Sequence, residues 1–365
     1  MQVAHFDTVD LLLRQISTRD LERVKENMIR RLIEKKVLQK YQGSYLVVVD
    51  ATGVTSYDEN KDSMLLHRKS KNGQESYTNS MLEAKLVTPE GLCLSLVSEA
   101  LSNEDRFEYE KQDCEQSAFK RLSKKLKSRY PRLPICILAD GLYANNTLFS
   151  ICRSNGWKFI VTLKDDQLKS IQTQIEDTAN GSRICFEKNR KGNNNGNNYK
   201  RQYQAIEALP YQEHLLNWVV CKESLPLSTK SITATCKFAY LTNISLGEIT
   251  ALKQDQVIKI IKAGRCRWKI ENEGFNTQKN LGYHLHHKFA RNSIKTLHNY
   301  YQLLQIAHMI NQLVIHSSRV AQWLAQKSRR TISALWDTLR ALLTFGHLDQ
   351  SRLSENEGHY QIRYG

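Results

Sequence analysis

Residues 8–40 carry apolar side chains three and four positions apart, with neither Pro nor Gly among them. That spacing predicts helix through TVDLLLRQISTRDLERVKENMIRRLIEKKVLQK. The period then changes. YLVVVDATG, Tyr45 to Gly53, is a short, continuous β-branched run closed by a turn, which predicts a strand buried on both faces. MLEAKLVT and GLCLSLVS follow, and Pro89, Glu90 and Gly91 between them predict a hairpin. From Lys111 to Tyr130 the pattern is helical and strongly basic (FKRLSKKLKSRY), ending before Pro131 and Pro134. LPICILADG predicts a fourth strand closing on Asp140. Tyr143 to Asn155 predicts a helix stopped by Gly156, and WKFIVTLKD a fifth strand. The order is βββαβαβ.

Residues from about 166 to 250 alternate short strand-like pieces (NWVVCKES, ATCKFAYLTN) with polar connectors. One connector, NRKGNNNGNNYKR, is a low-complexity Asn/Gly tract that predicts a flexible hairpin tip. After Ile249 helical spacing runs almost to the end. The chain therefore divides into a helical segment 1–43, the first part of an α/β core 44–165, a β-rich insertion 166–250, the rest of the core 251–315, and a helical tail 316–365.

Composition narrows the classes. The chain is 365 residues long, 41% hydrophobic and 25% charged, which suits a globular protein with a full core and excludes an unfolded one. No apolar run approaches the roughly 20 residues that span a bilayer. The N-terminus lacks the basic start and apolar core of a secretory signal. Eight scattered cysteines include no C-x-x-C pair, so buried free thiols in a reducing cytoplasm are expected. Fifty-three Lys and Arg against 37 Asp and Glu leave a net charge of +16, which suits a phosphate-backbone partner and no membrane.

Two acids fall where charge is expensive. Asp50 ends the run VVVD inside the first strand, and Asp140 closes the run ILAD. An ionised carboxylate in an apolar strand calls for a compensating cation or metal. If the two strands are neighbours, both acids face the same ions. Further along, RCRWKIENEGFN places Glu271 four residues after Arg267, on one helical face.

With these residues the chain resembles the bacterial insertion-sequence DDE transposases, the group with a Tyr-Arg-Glu-Lys signature. The likeness spans roughly residues 44–310. In that signature Tyr, Arg, Glu and Lys are separated by two, three and six residues. Arg267 and Glu271 match, Gly264 stands in the Tyr position and Gln278 in the Lys position, with Lys279 immediately after. The group commonly carries a β-rich insertion before its Glu, and the interval between Asp140 and Glu271 has room for one. The resemblance implies an RNase H-like mixed sheet flanked by helices, with the inserted β-rich subdomain and a helical C-terminus. It also implies cleavage and strand transfer at the ends of a mobile element, using two Mg²⁺ or Mn²⁺ ions. Asp50 would bridge the ions, with Asp140 on one and Glu271 on the other. Arg267, Lys279, Arg265 and Lys269 would bind DNA phosphates. The partners implied are terminal inverted repeats, target DNA and a second copy on paired ends, in a cytoplasmic, nucleoid-associated protein.

In-line attack on a phosphodiester needs both entering and leaving oxygens stabilised, which two ions roughly 3.5–4 Å apart provide and hard carboxylate oxygens hold. Arg267 is also read as an ion-pair partner of Glu271. Glu273 is the fallback third acid, Glu99 a candidate outer carboxylate, Asn272 and Asn276 candidate DNA contacts, and Trp268 a core residue. YHLHH, Tyr283 to His287, has helical His spacing without the companion ligands of a zinc site. Two other functions fit the same residues: a nuclease that cuts without joining, and a catalytically silent DNA-binding descendant.

Overall fold

A computed structural model describes residues 5–345, apart from 63, 71, 104–113, 179–182, 192–197, 227–232, 249, 288–292 and 326–330. Its strands are β1 (Tyr45–Tyr57), β2 (Leu66–Lys69), β3 (Glu75–Val87), β4 (Cys93–Leu101), β5 (Ile135–Ala139), β6 (Lys158–Thr162), β7 (Ile184–Lys191), β8 (Asn198–Tyr211), β9 (His214–Pro226) and β10 (Thr233–Thr242). The helices are α1 (Phe6–Gln15), α2 (Thr18–Glu34), α3 (Glu115–Arg129), α4 (Asn146–Asn155), α5 (Lys169–Asp177), α6 (Thr250–Arg265), α7 (Thr277–Asn280), α8 (Ile294–Ile315), α9 (Ser318–Ala325) and α10 (Ile332–Phe345). The fold is α/β. One mixed, mostly antiparallel sheet runs β2-β3-β1-β5-β6-β10-β9-β8-β7, with β4 also on β3. β1, β5 and β6 are parallel to one another, and β10 joins β6 antiparallel, so the strands after residue 166 continue the same sheet.

The apolar run in β1 serves both faces, as its pattern predicts. Leu46 and Val48 join a core with Val257, Ile260, Ile270 and Phe275 from α6 and the segment after it. Val47 and Val49 point the other way, toward Phe119, Leu122 and Leu126 of α3 and Leu148 and Phe149 of α4. Asp50 is next in line after Leu46 and Val48. Strand alternation therefore aims it toward the α6 side.

α8 departs from the usual amphipathic arrangement by burying polar side chains beside Ile294, Leu297, Tyr301 and Met309. It buries Asn299, Gln302, Gln305, His308 and Gln312, while Ile310 and Val314 face solvent. The apolar face expected from its sequence is thus partly outward. Burial holds the His308 imidazole down at about 3. Its folded-state pKa lies below its unfolded one, so the stability it contributes is complete above about pH 6.5 and is lost as pH falls toward 3. Urea unfolding between pH 7 and 4 should show the wild type losing up to about 1.4 kcal/mol per pH unit from this group. His308→Gln should flatten that slope, and equal slopes would disprove the assignment.

Other expectations are refined. The helix through residues 8–40 breaks after Gln15, because Ser17 caps a new helix with its hydroxyl on the Arg19 N–H. The region after 166 contains a helix, α5, that its polar composition concealed. The YHLHH histidines lie in a turn, with His284 in the left-handed region at φ 53°, so helical spacing does not apply. The centre of the Asn/Gly tract, 192–197, lies outside the described residues, as does the tail beyond 345. Five of the eight cysteines are buried and all are free thiols. No helix among the described residues is long and apolar enough to cross a membrane.

Candidate active site

Asp50 and Asp140 are brought together by parallel pairing. β1 and β5 run side by side from Tyr45↔Ile135 to Val48↔Leu138. β5 then ends at Ala139, while β1 continues on β3 alone. Asp140 is the first residue beyond β5 and Asp50 stands where its neighbour departs. This is the carboxyl-end side of β5, the side on which open α/β sheets place ligands. Asp140 accepts the Leu142 N–H (2.9 Å), which caps a 3-10 turn, Gly141–Tyr143. Asp50 accepts the Ala51 N–H (2.9 Å).

Glu271 arrives from the far side of the chain on an irregular helix. After α6 the backbone tightens: the amides of Cys266, Arg267, Lys269 and Ile270 each bond the carbonyl three residues back. It then widens into a π-helical turn, Ile270–Asn276, which continues into α7. Ile270 and Phe275 anchor the wide turn in the core, and Glu271 emerges at the crevice. Arg267 Nη1 lies 2.6 Å from Glu271 Oε1 and 3.9 Å from Asp50 Oδ2. One largely covered guanidinium therefore reaches both acids.

The electrostatics express this convergence. Burial pushes the Asp50 carboxyl up to about 7. Arg267 and the Ala51 N–H pull against that, while Glu271 and Asp140 add to it. Asp50 thus feels both other acids and is short of compensating positive charge. A fourth acid belongs to the same crevice. Glu115, at the start of α3, accepts from the Tyr143 hydroxyl (3.2 Å), and burial raises its pKa, with Asp140 contributing. Nothing in its local sequence marked it. Only the packing of α3 beside the 3-10 turn brings it there.

The remaining candidates separate. Glu273 turns away and pairs with Lys269 (3.1 Å), so Glu271 is the acid that faces Asp50. Arg265 is engaged by Glu223 of β9 (2.6 Å) and stacks over Phe238. Glu99 is held by Arg121 (2.6 Å) and Lys125. Asn272 and Asn276 are exposed. Trp268 is not core: it is 52% exposed, with the Arg267 guanidinium 5.2 Å from its ring centroid. Its basic neighbours lie on the inward side of the tight turn and leave it outside.

The two departures from the signature have structural counterparts. A π turn advances by less per residue than the roughly 100° of an α-helix. Counting through it, Lys279 returns near the azimuth of Glu271, while Gln278 falls on the buried side. Gln278 is indeed fully buried and Lys279 only half so. Gly264, for its part, lies against the Tyr240 ring of β10. A Cβ there would stand 2.6 Å from that ring. An aromatic ring from another element fills the space beside Arg267, and Gly264 is what admits it. Gly264→Ala should cost about 1–3 kcal/mol by overpacking. Chemical denaturation measures this, and Tyr240→Leu in the same chain should recover most of it. A neutral Gly264→Ala would disprove the contact.

Asp50, Asp140 and Glu271 carry hard oxygens of the kind that divalent ions prefer. The charge deficit at Asp50 fits a cation beside it. As the side chains stand, no three acids, histidines or cysteines among the described residues are gathered to hold a metal, and Arg267 supplies the positive charge. In comparisons with known proteins, no family model and no curated protein matches the chain.

Proposed function

We propose that this protein is an RNase H-like DDE transposase, which cuts and joins DNA at the ends of a mobile element. The approach of Glu271 to Asp50 through the shared Arg267, with Asp140 close enough to act on Asp50, carries the reading. The strand arrangement supports it, since β4, β3 and β1 are antiparallel and β1, β5 and β6 parallel. The net charge of +16 supports a double-stranded DNA partner. Joining paired ends calls for a second copy of the chain.

Asp50, Asp140 and Glu271 would hold the Mg²⁺ or Mn²⁺ ions. Bound there, such ions would supply activation of the attacking water or 3′-hydroxyl and stabilisation of the leaving oxygen. The chain's own contribution is placement. The middle of β1, where β5 leaves it, and the end of β5 fix two carboxylates, and the wide turn fixes the third. Arg267 offsets the charge of Asp50 and Glu271 until a phosphate arrives, then clamps that phosphate. Lys279 lies on the same side of the helix, and Trp268 offers an exposed ring on which a base can stack.

The test is Asp140→Asn, assayed with Mg²⁺ on supercoiled DNA carrying the element's end sequences. Cleavage should fall on the order of 10³-fold or more, the equivalent of several kcal/mol of charge stabilisation, while DNA binding persists. A parent with no metal-dependent cleavage would leave the silent DNA-binding protein. Cleavage without strand transfer would leave the nuclease.

A further inference from the structure

Behind the wide turn lies a polar network that the reaction does not use. Across β3 the neighbours of Asp50 and Val48 are Glu83 and Lys85, both fully buried. Glu83 accepts from Tyr301 (3.0 Å) and Ser95 (2.7 Å). Lys85 donates to Gln305 of α8 (2.9 Å) and lies over the Phe275 ring of the wide turn. Gln305 and Gln278 exchange amide bonds of 2.9 and 3.2 Å. One helical stretch along α8, Gln312 accepts from the Cys93 N–H (2.7 Å) and donates to the Glu273 carbonyl inside the wide turn (3.2 Å).

Apolar side chains could fill this volume without the desolvation that three buried amides and a lysine incur. What amides add is register, because each bond is satisfied at one position only. If the wide turn relaxed to an α-helix, every later residue would rotate by about 100° relative to Glu271. Gln278 would leave Gln305, Lys85 would lose part of its support, and Lys279 would turn from the crevice. The network is compatible with the wide turn alone.

We propose that Gln312 and Gln278, backed by Gln305 and Lys85, are positioning residues that lock the π-helical register. They thereby set the direction of Glu271 and its alignment with Lys279. This rests on the proposed carboxylate site. The experiment is Mn²⁺ titration of the metal-free protein by electron paramagnetic resonance, on Gln312→Met and Gln278→Met. Thermal unfolding of each variant is followed alongside. Folded variants should bind Mn²⁺ about 10–100-fold more weakly, the range for loss of an outer support. In Gln278→Met, Lys279→Ala should also add no further loss of DNA affinity, although it weakens DNA binding in the parent; a purely stabilising role for Gln278 would leave that loss intact. A folded variant with wild-type Mn²⁺ affinity and an intact Lys279 effect overturns the lock. Should Gln312→Met fail to fold, Gln278→Met, which leaves the Lys85–Gln305 bond in place, decides alone. If instead the parent's Mn²⁺ binding is unmoved by Asp50→Asn and Glu271→Gln, the carboxylate site itself is wrong, and the lock falls with it.

Discussion

Asp50→Asn should make the metal-free protein more stable at pH 8 and at the same time inactive. The Asp50 carboxyl titrates near 3.8 when unfolded and near 7 when folded, because burial outweighs the help it receives from Arg267. Between those values the folded state holds the extra proton. Stability contributed by this group is therefore present at low pH and declines as pH rises from about 4 to 7. Above 7 the whole penalty is felt. A shift of about three units corresponds to at most about 4 kcal/mol, and a gain of about 2–3 kcal/mol is expected after screening by the water that reaches the crevice. Asn removes the ionisation and keeps the shape. His308 imposes the opposite slope over part of the same range, so the informative quantity is the difference between wild type and variant. Urea unfolding in chelator at pH 5 and pH 8 gives it. The advantage of the variant should be a little over a third of its full size at pH 5 and nearly complete at pH 8. A variant less stable than wild type at pH 8 would mean that Asp50 is a satisfied structural acid and not a site held at a cost to the fold.

That cost explains why Asp50 stood out as a candidate in the sequence. A carboxylate closing a β-branched run breaks the local rule for buried strands, and the violation can be seen without the fold. That β1 and β5 are parallel neighbours was only a condition in the sequence, and the fold supplies it. The wide turn was not legible: RCRWKIENEGFN reads as ordinary helix, and the backbone departs from it only because Ile270, Phe275 and Gln278 are each held by distant partners. Trp268 was misplaced for that reason, since a regular helix would have turned it inward. The α8 glutamines were hidden by a different ambiguity. A polar stripe at helical spacing looks the same whether it meets water or Lys85 and Glu83. Even β3 contained the clue, in the alternation of Glu83 and Lys85 with Leu82, Ala84 and Leu86, but two charges on a strand ordinarily mark its solvent face. Tyr240, which fills the space at Gly264, could not be inferred from either segment alone.

Arg267→Gln carries the other large effect, because on the proposed function Arg267 stands where positive charge is needed both before and after DNA arrives. Without it Asp50 and Glu271 lose their shared counter-ion, and the metal-free variant should be less stable by about 1–3 kcal/mol. Cleavage should fall about 10²–10³-fold, as for loss of one preorganised charge-stabilising donor. The slope of DNA affinity against salt should shrink by about one phosphate contact. Metal binding should move the opposite way. In the parent, a dication has to displace a guanidinium 2.6 Å from Glu271, so Mn²⁺ binds the free protein against competition. A DNA phosphate that draws Arg267 aside relieves that competition, and linkage makes the effect reciprocal: DNA should tighten Mn²⁺ binding by the same factor that Mn²⁺ tightens DNA binding, of the order of 5–150-fold. The Gln variant should bind Mn²⁺ more tightly than the parent when DNA is absent, and the coupling should fall toward unity. Calorimetric titration of Mn²⁺ with and without a DNA duplex measures both quantities on both proteins. A variant with unchanged Mn²⁺ affinity and undiminished coupling would show that Arg267 serves only as a helix-face partner of Glu271. Weaker Mn²⁺ binding would show that the guanidinium orients Glu271 instead of competing for it.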